Sequence, residues 1–397
     1  MAYTSGTSAN YNQLLEDLDS WLVGTVGWTQ RQFTSGLADM AVAVAINGGG
    51  TGYAVDDVLT VSGGTYTTQT TLTVTSVAAG VIDGIEITEP GSYTALPSNP
   101  VSVTGGSGSS ATFNLTWALR NDQNIRASWE ADGAGAGKHM FLNIETQYDI
   151  GNGYYSWKLW GATAWDSGES GDFGAQPGAG GPSFFNLWQN SIDYWFYAND
   201  RRVIVVAKCS TNYMSMYAGF FLPFALPSEY PFPHCIIGSY PDIQAPDYNN
   251  ARNSMIADPG ANGAAWYRRR TTETWIEIEN QANSATSIAP STGQRAFLWP
   301  HKTGRTQGYG TGSQADYWGP NGFHAMKLNY EDESPLMQCH IIDLLDLTCV
   351  GALEGVYSTT GFNRSTEQVI TVGSRTFRLF QRAFRNQAGD FFAVEEV

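Results

Sequence analysis

The first regular pattern along the chain is a helical one near its beginning. Six apolar residues recur there at spacings of three and four: Tyr11, Leu14, Leu15, Leu18, Trp21 and Leu22. Acidic residues occupy the opposite side, so the spacing predicts an amphipathic helix over 11–23. Asn10 or Ser8 can cap its first turn, Gly24 and Gly27 are expected to end it, and residues 28–33 are expected to form a strand.

From about residue 41 to residue 116 the pattern changes to a period of two, in which apolar residues alternate with Thr and Ser. Alternating runs such as 58–61 and 72–77 are separated by Gly pairs, which is typical of short antiparallel strands. The change predicts three parts. These are an N-terminal helix and first body strand at 1–40, an inserted Gly/Thr-rich β module at 41–116, and an aromatic-rich β body at 117–397.

The predicted module contains an approximate duplication. Residues 59–64 and 101–106 share the same alternation followed by Gly-Gly, and a tyrosine, Tyr53 or Tyr93, precedes each of them. The period is about forty residues, and a flexible linker has no reason to keep an alternation of apolar and polar residues. We expect two similar β units that pack face to face.

In the body, short alternating runs and frequent turn residues predict hairpins. The run 193–208 has an Asn-Asp pair at 199–200, which is expected to supply the positive φ angles of a tight turn. A second hairpin is expected over 368–380. The prolines of 220–248 predict an extended loop, because proline cannot donate to a central ladder. Residues 341–347 are a further candidate for a helical turn.

Together these patterns predict a mainly β protein. It should have an antiparallel β-sandwich or barrel-like body, one N-terminal helix and an inserted small all-β module. Of the 397 residues, 42% are hydrophobic, but only 15% are charged, whereas about 25% is usual. Uncharged polar groups or other chains must therefore cover much of the surface. Arginine outnumbers lysine 16 to 5, a bias typical of protein interfaces, although a large aromatic core would use the same Tyr and Trp residues.

The net charge of −16 disfavours nucleic acid as a partner, because an acidic surface repels phosphates. The one basic cluster, Arg268-Arg269-Arg270, is followed by acidic residues and is interpreted as a strand-edge or ion-pair cluster. The first ten residues have neither the basic nor the apolar part of a signal peptide. No apolar run approaches the roughly 20 residues of a membrane span, so we expect none.

No motif predicts an enzyme, a metal centre or a cofactor. Residues 133–138 are rich in Gly but lack the Gly spacing and the Ser or Thr of a phosphate-binding loop, so they are interpreted as a turn. The five histidines form no HExxH pair, there is no GxSxG sequence, and each histidine is interpreted as structural. The four cysteines form no CxxC pair, which predicts buried free thiols.

Two segments have a functional interpretation that is weaker than the structural one, as a calcium site and as a site of sugar cleavage. Asp166–Asp172 offers alternating oxygen donors for Ca²⁺, but it lacks the spacing of a known calcium loop and is interpreted as a solvated turn. Paired carboxylates can cleave sugars and aromatic rings can stack on them, and three glutamates lie near two tryptophans here: Glu273, Glu277 and Glu279, with Trp266 and Trp275. An exposed strand edge explains these carboxylates equally well.

Several motifs of the predicted module resemble a small β module found inserted in phage tail and fibre proteins. They are Gly49–Tyr53 with Asp57–Val61, Gly80–Ile85, Pro90–Thr94 and Gly105–Phe113. The flanking body resembles a family of uncharacterised virion proteins of tailed phages and prophages. That resemblance lies in Leu14-Leu15, Gly27–Thr29, Trp157–Gly161, Tyr194–Phe196, Asn199, Arg201-Arg202, Val205–Lys208, Tyr217–Pro223, Pro227–Pro231, Leu353–Tyr357 and Gly361-Phe362.

The resemblance implies a structural subunit of a virion (tail, neck or collar, or baseplate) that assembles in the host cytoplasm. Its expected partners are other virion proteins and copies of itself in a ring or trimer. The alternative function is a receptor-binding tail protein that recognises host surface glycan. The aromatic segment 188–248 is expected to form the contacts, with seven candidate interface residues: Trp195, Tyr197, Arg201, Arg202, Phe220, Phe221 and Tyr230. A core that is buried within one subunit is the alternative for the same aromatic residues.

Overall fold

A computed structural model describes residues 1–34, 39–119, 125–135, 137–149, 151–239, 254–256, 265–278, 296–299, 335–343, 345–346, 348–359, 361, 363–383 and 391–396. The chain is mainly antiparallel β, as predicted, with an α-helix near the N-terminus. It divides into two compact units. We call residues 1–34 with 126–397 the body and residues 35–125 the module. The module therefore includes the predicted range of 41–116.

The first ten strands in chain order are β1 (Ala2–Ser8), β2 (Thr29–Phe33), β3 (Asp39–Thr51), β4 (Val58–Val61), β5 (Thr65–Thr68), β6 (Thr71–Ala78), β7 (Val81–Glu89), β8 (Ser92–Ala95), β9 (Val101–Gly105) and β10 (Ser109–Leu119). The other strands are β11 (Arg126–Gly135), β12 (Lys138–Asp149), β13 (Tyr154–Ala162), β14 (Gly180–Leu187), β15 (Ile192–Ala198), β16 (Arg202–Cys209), β17 (Asn212–Phe220), β18 (Leu222–Pro223), β19 (His234–Ile237), β20 (Ala265–Arg268), β21 (Trp275–Glu277), β22 (Ala296–Trp299), β23 (Met337–Asp343), β24 (Thr348–Thr359), β25 (Val369–Val372), β26 (Arg375–Gln381) and β27 (Phe391–Glu395).

The predicted helix is confirmed as α1, Tyr11–Trp21. The side chain of Asn10 caps it by accepting hydrogen bonds from the backbone N–H groups of Asn12 and Gln13 at 3.0 and 2.9 Å. Gly24 does not end the helix, because a π-helical turn, Leu22–Val26, continues it until Gly27, whose φ of 90° ends it. No helix of the described residues is both long and apolar enough to cross a membrane.

Three antiparallel sheets of the body are described. The first has the order β1-β15-β16-β17-β19-β20-β21, the second β14-β13-β12-β11-β2, and the third β22-β23-β24-β27-β26-β25, with β18 beside β24. The main hydrophobic core contains residues of the first and third sheets, such as Ile204, Tyr267 and Phe392. A smaller cluster lies at the far end of the third sheet, around Phe377 and Leu379.

Helix α1 is attached to the second sheet by two buried tryptophans. Trp157 donates its indole N–H to the backbone oxygen of Tyr11 at 2.8 Å, and Trp129 donates to the carboxylate of Asp19 at 2.7 Å. Both rings are fully buried, so these hydrogen bonds satisfy polar groups that would otherwise be costly to bury.

Both predicted hairpins are confirmed, as β15–β16 and β25–β26. The first turn is closed differently from the prediction. Neither residue of 199–200 has a positive φ. The side-chain oxygen of Asn199 instead accepts from the backbone N–H groups of Arg201 and Arg202 at 2.9 and 3.1 Å. This is the turn that an Asn side chain forms with its own backbone, and it needs no left-handed residue.

Two predictions for the body are wrong in part. The segment 220–248 is not one extended loop, because β19 lies inside the first sheet between β17 and β20. Strand β19 has four residues and no proline, and four prolines of the segment precede it: Pro223, Pro227, Pro231 and Pro233. The expected helical turn at 341–347 begins as the end of strand β23. Residues 240–248, 344 and 347 lie outside the described residues.

The module is a single sheet of eight strands in the order β5-β8-β3-β10-β9-β4-β6-β7, and it curls into a half-barrel. Curling brings residues beside β7 to the ends of β3. The N–H of Ala41 donates to the oxygen of Pro90 at 2.9 Å, and that of Tyr53 donates to Gly80 at 3.0 Å. Inward-facing Leu and Val residues fill the interior.

The two repeats do not pack face to face. Strands β4 and β9, which carry the repeated sequence, are hydrogen-bonded neighbours in one sheet. Leu59 pairs with Leu72 in the first repeat, and Val101 pairs with Phe113 in the second, so equivalent residues form equivalent hairpins. The period of two predicted the strands correctly. It does not distinguish strands that pair side by side from strands that face each other.

The two body residues that flank the module lie side by side. Thr34 donates its N–H to the oxygen of Arg126 at 2.9 Å, and Arg126 donates its N–H to the Thr34 hydroxyl at 2.7 Å. We expect that replacing residues 35–125 with a Gly-Ser linker of two to four residues leaves the body folded, because such a loop closes an antiparallel pair without strain. Circular dichroism and thermal unfolding would show a cooperative transition. A variant that unfolds without cooperativity would contradict an inserted module.

Candidate interaction surface

The structure brings the predicted interface residues together, but in the interior of the chain. Six of the seven are buried: Trp195, Tyr197, Arg202, Phe220, Phe221 and Tyr230, at 7, 0, 0, 1, 1 and 2% exposure. Five are aromatic side chains that pack within the body, so the alternative of a core buried inside one subunit is correct for them. The prediction that these six side chains form a contact surface is wrong, because no second chain can reach them in this fold.

The two arginines at the hairpin turn have different environments. Arg201 is partly exposed and donates to the carboxylate of Glu354 at 2.9 Å, which also accepts from Asn199 at 3.0 Å. Arg202 is fully buried, and burial lowers the pKa of its guanidinium. Its closest backbone acceptor is the oxygen of Tyr197 at 3.4 Å. Both arginines therefore contribute to the body itself.

Another part of the same predicted segment is exposed. Phe224 and Leu226 are 60 and 65% exposed, the highest values among the large apolar side chains of the described residues. They lie on a loop between two buried anchors, Phe221 and Tyr230, whose rings pack edge to face at 5.6 Å. The N–H of Tyr230 donates to the oxygen of Leu226 at 3.0 Å. The loop is thus held at both ends while its apolar side chains face solvent.

A second loop presents an apolar residue beside β24, the strand of the third sheet that the Phe224 loop contacts. The Phe224 N–H donates to the oxygen of Val350 in β24 at 3.0 Å, which continues the pairing of β18 with β24. The turn that leads into β24 carries Leu345, which is 52% exposed, and Cys349 is exposed near the start of the strand. We call Phe224, Leu226, Leu345 and Cys349 the Phe224 surface.

A buried carboxylate organises the turn that carries Leu345. Asp343 has no exposed surface, and it accepts from the Tyr267 hydroxyl at 2.5 Å and from Nε of Arg269 at 2.8 Å. Its other oxygen accepts from the N–H groups of Leu345 and Asp346 at 2.8 and 3.2 Å. Four donors on one carboxylate fix the conformation of the turn.

The arginine cluster that the sequence singled out lies next to this surface and is paired, as predicted. Arg268 contacts Glu273 at 3.2 Å. Arg269 binds Asp343 and also Asp346. Arg270 lies 3.8 Å from Glu229, on the loop that carries Phe224. Charged groups of both signs therefore border the apolar residues, as they border the core of a protein interface.

The segments considered for catalysis or metal binding have structural roles. The carboxylates of Asp166 and Asp172 each accept a backbone N–H two residues further on, at 2.8 Å, which is how a solvated turn uses them. The Gly-rich run at 133–138 connects the hairpin β11–β12, in which Gly135 pairs with Lys138. No group of His, Cys, Asp and Glu that could hold a metal is found in the described residues.

The described glutamates and tryptophans considered for sugar cleavage lie on one hairpin, β20–β21, where Trp266 pairs with Glu277. Glu273 is on the turn between β20 and β21, and Glu277 is on β21, while residue 279 lies outside the described residues. Trp275 donates to the oxygen of Gly178 at 2.9 Å, and Trp266 donates to Pro182 at 3.2 Å. Both indoles are half-buried, and their hydrogen bonds fix them against the start of β14 and the residues just before it.

His234 is a fully buried polar residue, and the sequence did not predict which side chains surround it. Its ring lies between Phe220 and Trp275, with centroid distances of 5.4 and 5.2 Å. Burial, together with the nearby Arg268, lowers its pKa to about 3, so the imidazole is neutral at physiological pH. Gly161 leaves the space for this ring, because a Cβ there would meet His234 at 2.6 Å.

The cysteines are free thiols, and three of them are buried, as predicted: Cys209, Cys235 and Cys339. Burial raises the pKa of each of these thiols. Cys349 differs from the prediction because it is exposed on the Phe224 surface.

Comparisons with known proteins do not identify the chain. No protein-family model matches the sequence, and a search of curated proteins finds no match.

We expect the Asp343→Asn variant to lose about 3 kcal/mol of unfolding free energy, since it leaves Arg269 without its buried charge partner. The matched control is Asp346→Asn. Asp346 contacts the same arginine but is 39% exposed, so its loss should cost less than about 1 kcal/mol. Urea unfolding of both variants measures the difference. Equal stability of the two variants would contradict the role of Asp343.

Proposed function

We propose that this protein is a structural component of a tailed-phage virion, a tail, neck or baseplate subunit that acts through protein–protein contacts in a symmetric assembly. The motifs of the body and of the module that resemble virion and tail proteins support the proposal. So does the low charged fraction of 15%, since a surface with few charges suits a protein whose neighbours cover it.

The observation that carries the proposal is the Phe224 surface. Its loops are held by buried anchors and a buried carboxylate, yet they expose Phe224, Leu226 and Leu345. Burying one such side chain is worth about 1.5–3 kcal/mol, so a fold that fixes several of them in solvent forgoes that stabilisation. A partner chain recovers it, and the fixed loops lose little entropy on binding.

Glycan recognition by a receptor-binding protein receives less support from the exposed residues. Such a protein presents an aromatic-lined groove. Among the described residues, the most exposed large apolar side chains include no tryptophan. Six tryptophans of the body donate their indole N–H inside the chain: Trp28, Trp129, Trp157, Trp188, Trp266 and Trp275. Three of them, Trp28, Trp129 and Trp157, belong to the buried core.

The double variant Phe224→Asp/Leu226→Asp tests the proposal in a particle assembly assay. Substitutions at exposed positions change stability by less than about 0.5 kcal/mol, so the melting temperature of the purified chain should stay the same. Incorporation into particles should be lost, because two carboxylates cannot be buried against an apolar partner. The control is Val23→Asp, at a residue 39% exposed elsewhere on the body. Normal incorporation of the double variant would count against the proposal.

A further inference from the structure

Strand β25 lies at an open edge of the third sheet. It pairs with β26 on one side, and no strand of the described residues pairs with its other side. Val369 and Val372 are 44 and 47% exposed. Such an edge is a template for pairing with another strand.

The β25 edge is short, but neither a proline nor a charged residue lies within it. The second sheet ends in β14, which contains Pro182, and in β2, which contains Arg31. Proline and charged side chains at an edge prevent a further strand from adding. Strand β25 reads Val-Ile-Thr-Val, without charge or proline, and three of its four residues are β-branched and exposed.

The position of β25 is fixed from both ends. Glu367, just before the strand, accepts from Nζ of Lys208 at 2.7 Å and from the Tyr213 hydroxyl at 2.5 Å. Gly373, just after it, has a φ of 64° and begins the two-residue turn to β26. The edge therefore needs little ordering when another strand pairs with it.

The hydrogen bonds of β26 show which backbone groups point outward. On the β27 side, the oxygen of Thr376 accepts a hydrogen bond from the N–H of Glu396 at 2.8 Å. On the β25 side, the N–H of Leu379 donates to the oxygen of Gln368 at 2.9 Å. Backbone groups alternate in direction along a strand. Ile370 and Val372 therefore point towards β26, and the N–H and C=O groups of Val369 and Thr371 point to the open edge.

We propose that the β25 edge pairs with β25 of a second copy of this chain, antiparallel about a two-fold axis at Thr371. An axis centred on one residue keeps opposed side chains on the same face of both strands. It places Thr371 opposite itself and Ile370 opposite Val372 of the partner subunit. It also brings Glu367 of one strand opposite Arg375 of the partner subunit. Within the chain Glu367 pairs with Lys208 and Arg375 pairs with Glu395, so the contact joins two ion pairs into one network of alternating charge. This self-complementary register favours a second copy over an unrelated strand.

The inference rests on the proposed function for its purpose, an assembly of identical subunits, and its geometry is tested on purified protein. The test variant is Thr371→Cys in a Cys349→Ser background, which removes the exposed native thiol. Residues opposed in a hydrogen-bonded antiparallel pair have Cα atoms about 5.5 Å apart, a separation that a disulfide bridges. Mild oxidation should convert the chain from monomer to disulfide-linked dimer on a non-reducing gel.

The matched control is Val369→Cys in the same background. It introduces a thiol on the same strand and face, but the two-fold axis places it four residues from its symmetry mate, about 13 Å at about 3.3 Å per residue. Little dimer should form. Equal cross-linking of both variants, or none with Thr371→Cys, would overturn the inference.

The particle assay separates this contact from the proposed function. If Thr371→Cys gives no dimer while the Phe224→Asp/Leu226→Asp variant is still excluded from particles, the β25 contact is wrong and the structural function stands. If dimers form but the native chain never enters particles, the contact stands and the proposed function fails.

Discussion

The body depends on two large aromatic rings that are buried with a partner for their polar atoms. Trp129 and Trp157 are fully buried, and each indole N–H finds an acceptor on helix α1, the Asp19 carboxylate or the Tyr11 backbone oxygen. An indole N–H that is buried without an acceptor loses its hydrogen bonds to water, and this loss offsets part of the free energy gained by burying the ring. These hydrogen bonds tie the helix to the second sheet. Trp266 and Trp275, which are half-buried, also donate to backbone oxygens and so connect the first sheet to the segment around β14.

The same constraint separates core from contact surface. An aromatic-rich segment can supply rings to the core and to a contact surface. In this chain the rings that hold the loop are in the core. Phe221 and Tyr230 are buried and hold the loop between them, so Phe224 and Leu226 are exposed on a fixed support. Asp343 supports Leu345 in the same manner through four donors. Buried residues of the segment thus position the exposed ones, and the contact role proposed for the segment depends on both.

The sequence predicted the elements better than their arrangement. Periodicity and capping located α1 and both hairpins, because spacing and turn residues act locally. The repeat indicated equivalent hairpins but not that β4 and β9 are neighbours in one sheet, since pairing is decided by contacts distant in sequence. Residue type also could not separate Arg201 from Arg202. One is partly exposed beside Glu354 and its neighbour is fully buried. Cys349 resembles the other cysteines until the fold places it outside the core.

We propose that this chain is a repeated structural subunit whose Phe224 surface is covered by a neighbour. A density reconstruction of the phage particle, with the chain placed by its half-barrel module and its three-sheet body, tests that claim most directly. We expect the chain in several symmetry-related copies, with Phe224 and Leu226 packed against an adjacent chain. A particle that lacks the chain, or one in which the Phe224 surface faces solvent in every copy, would contradict the account.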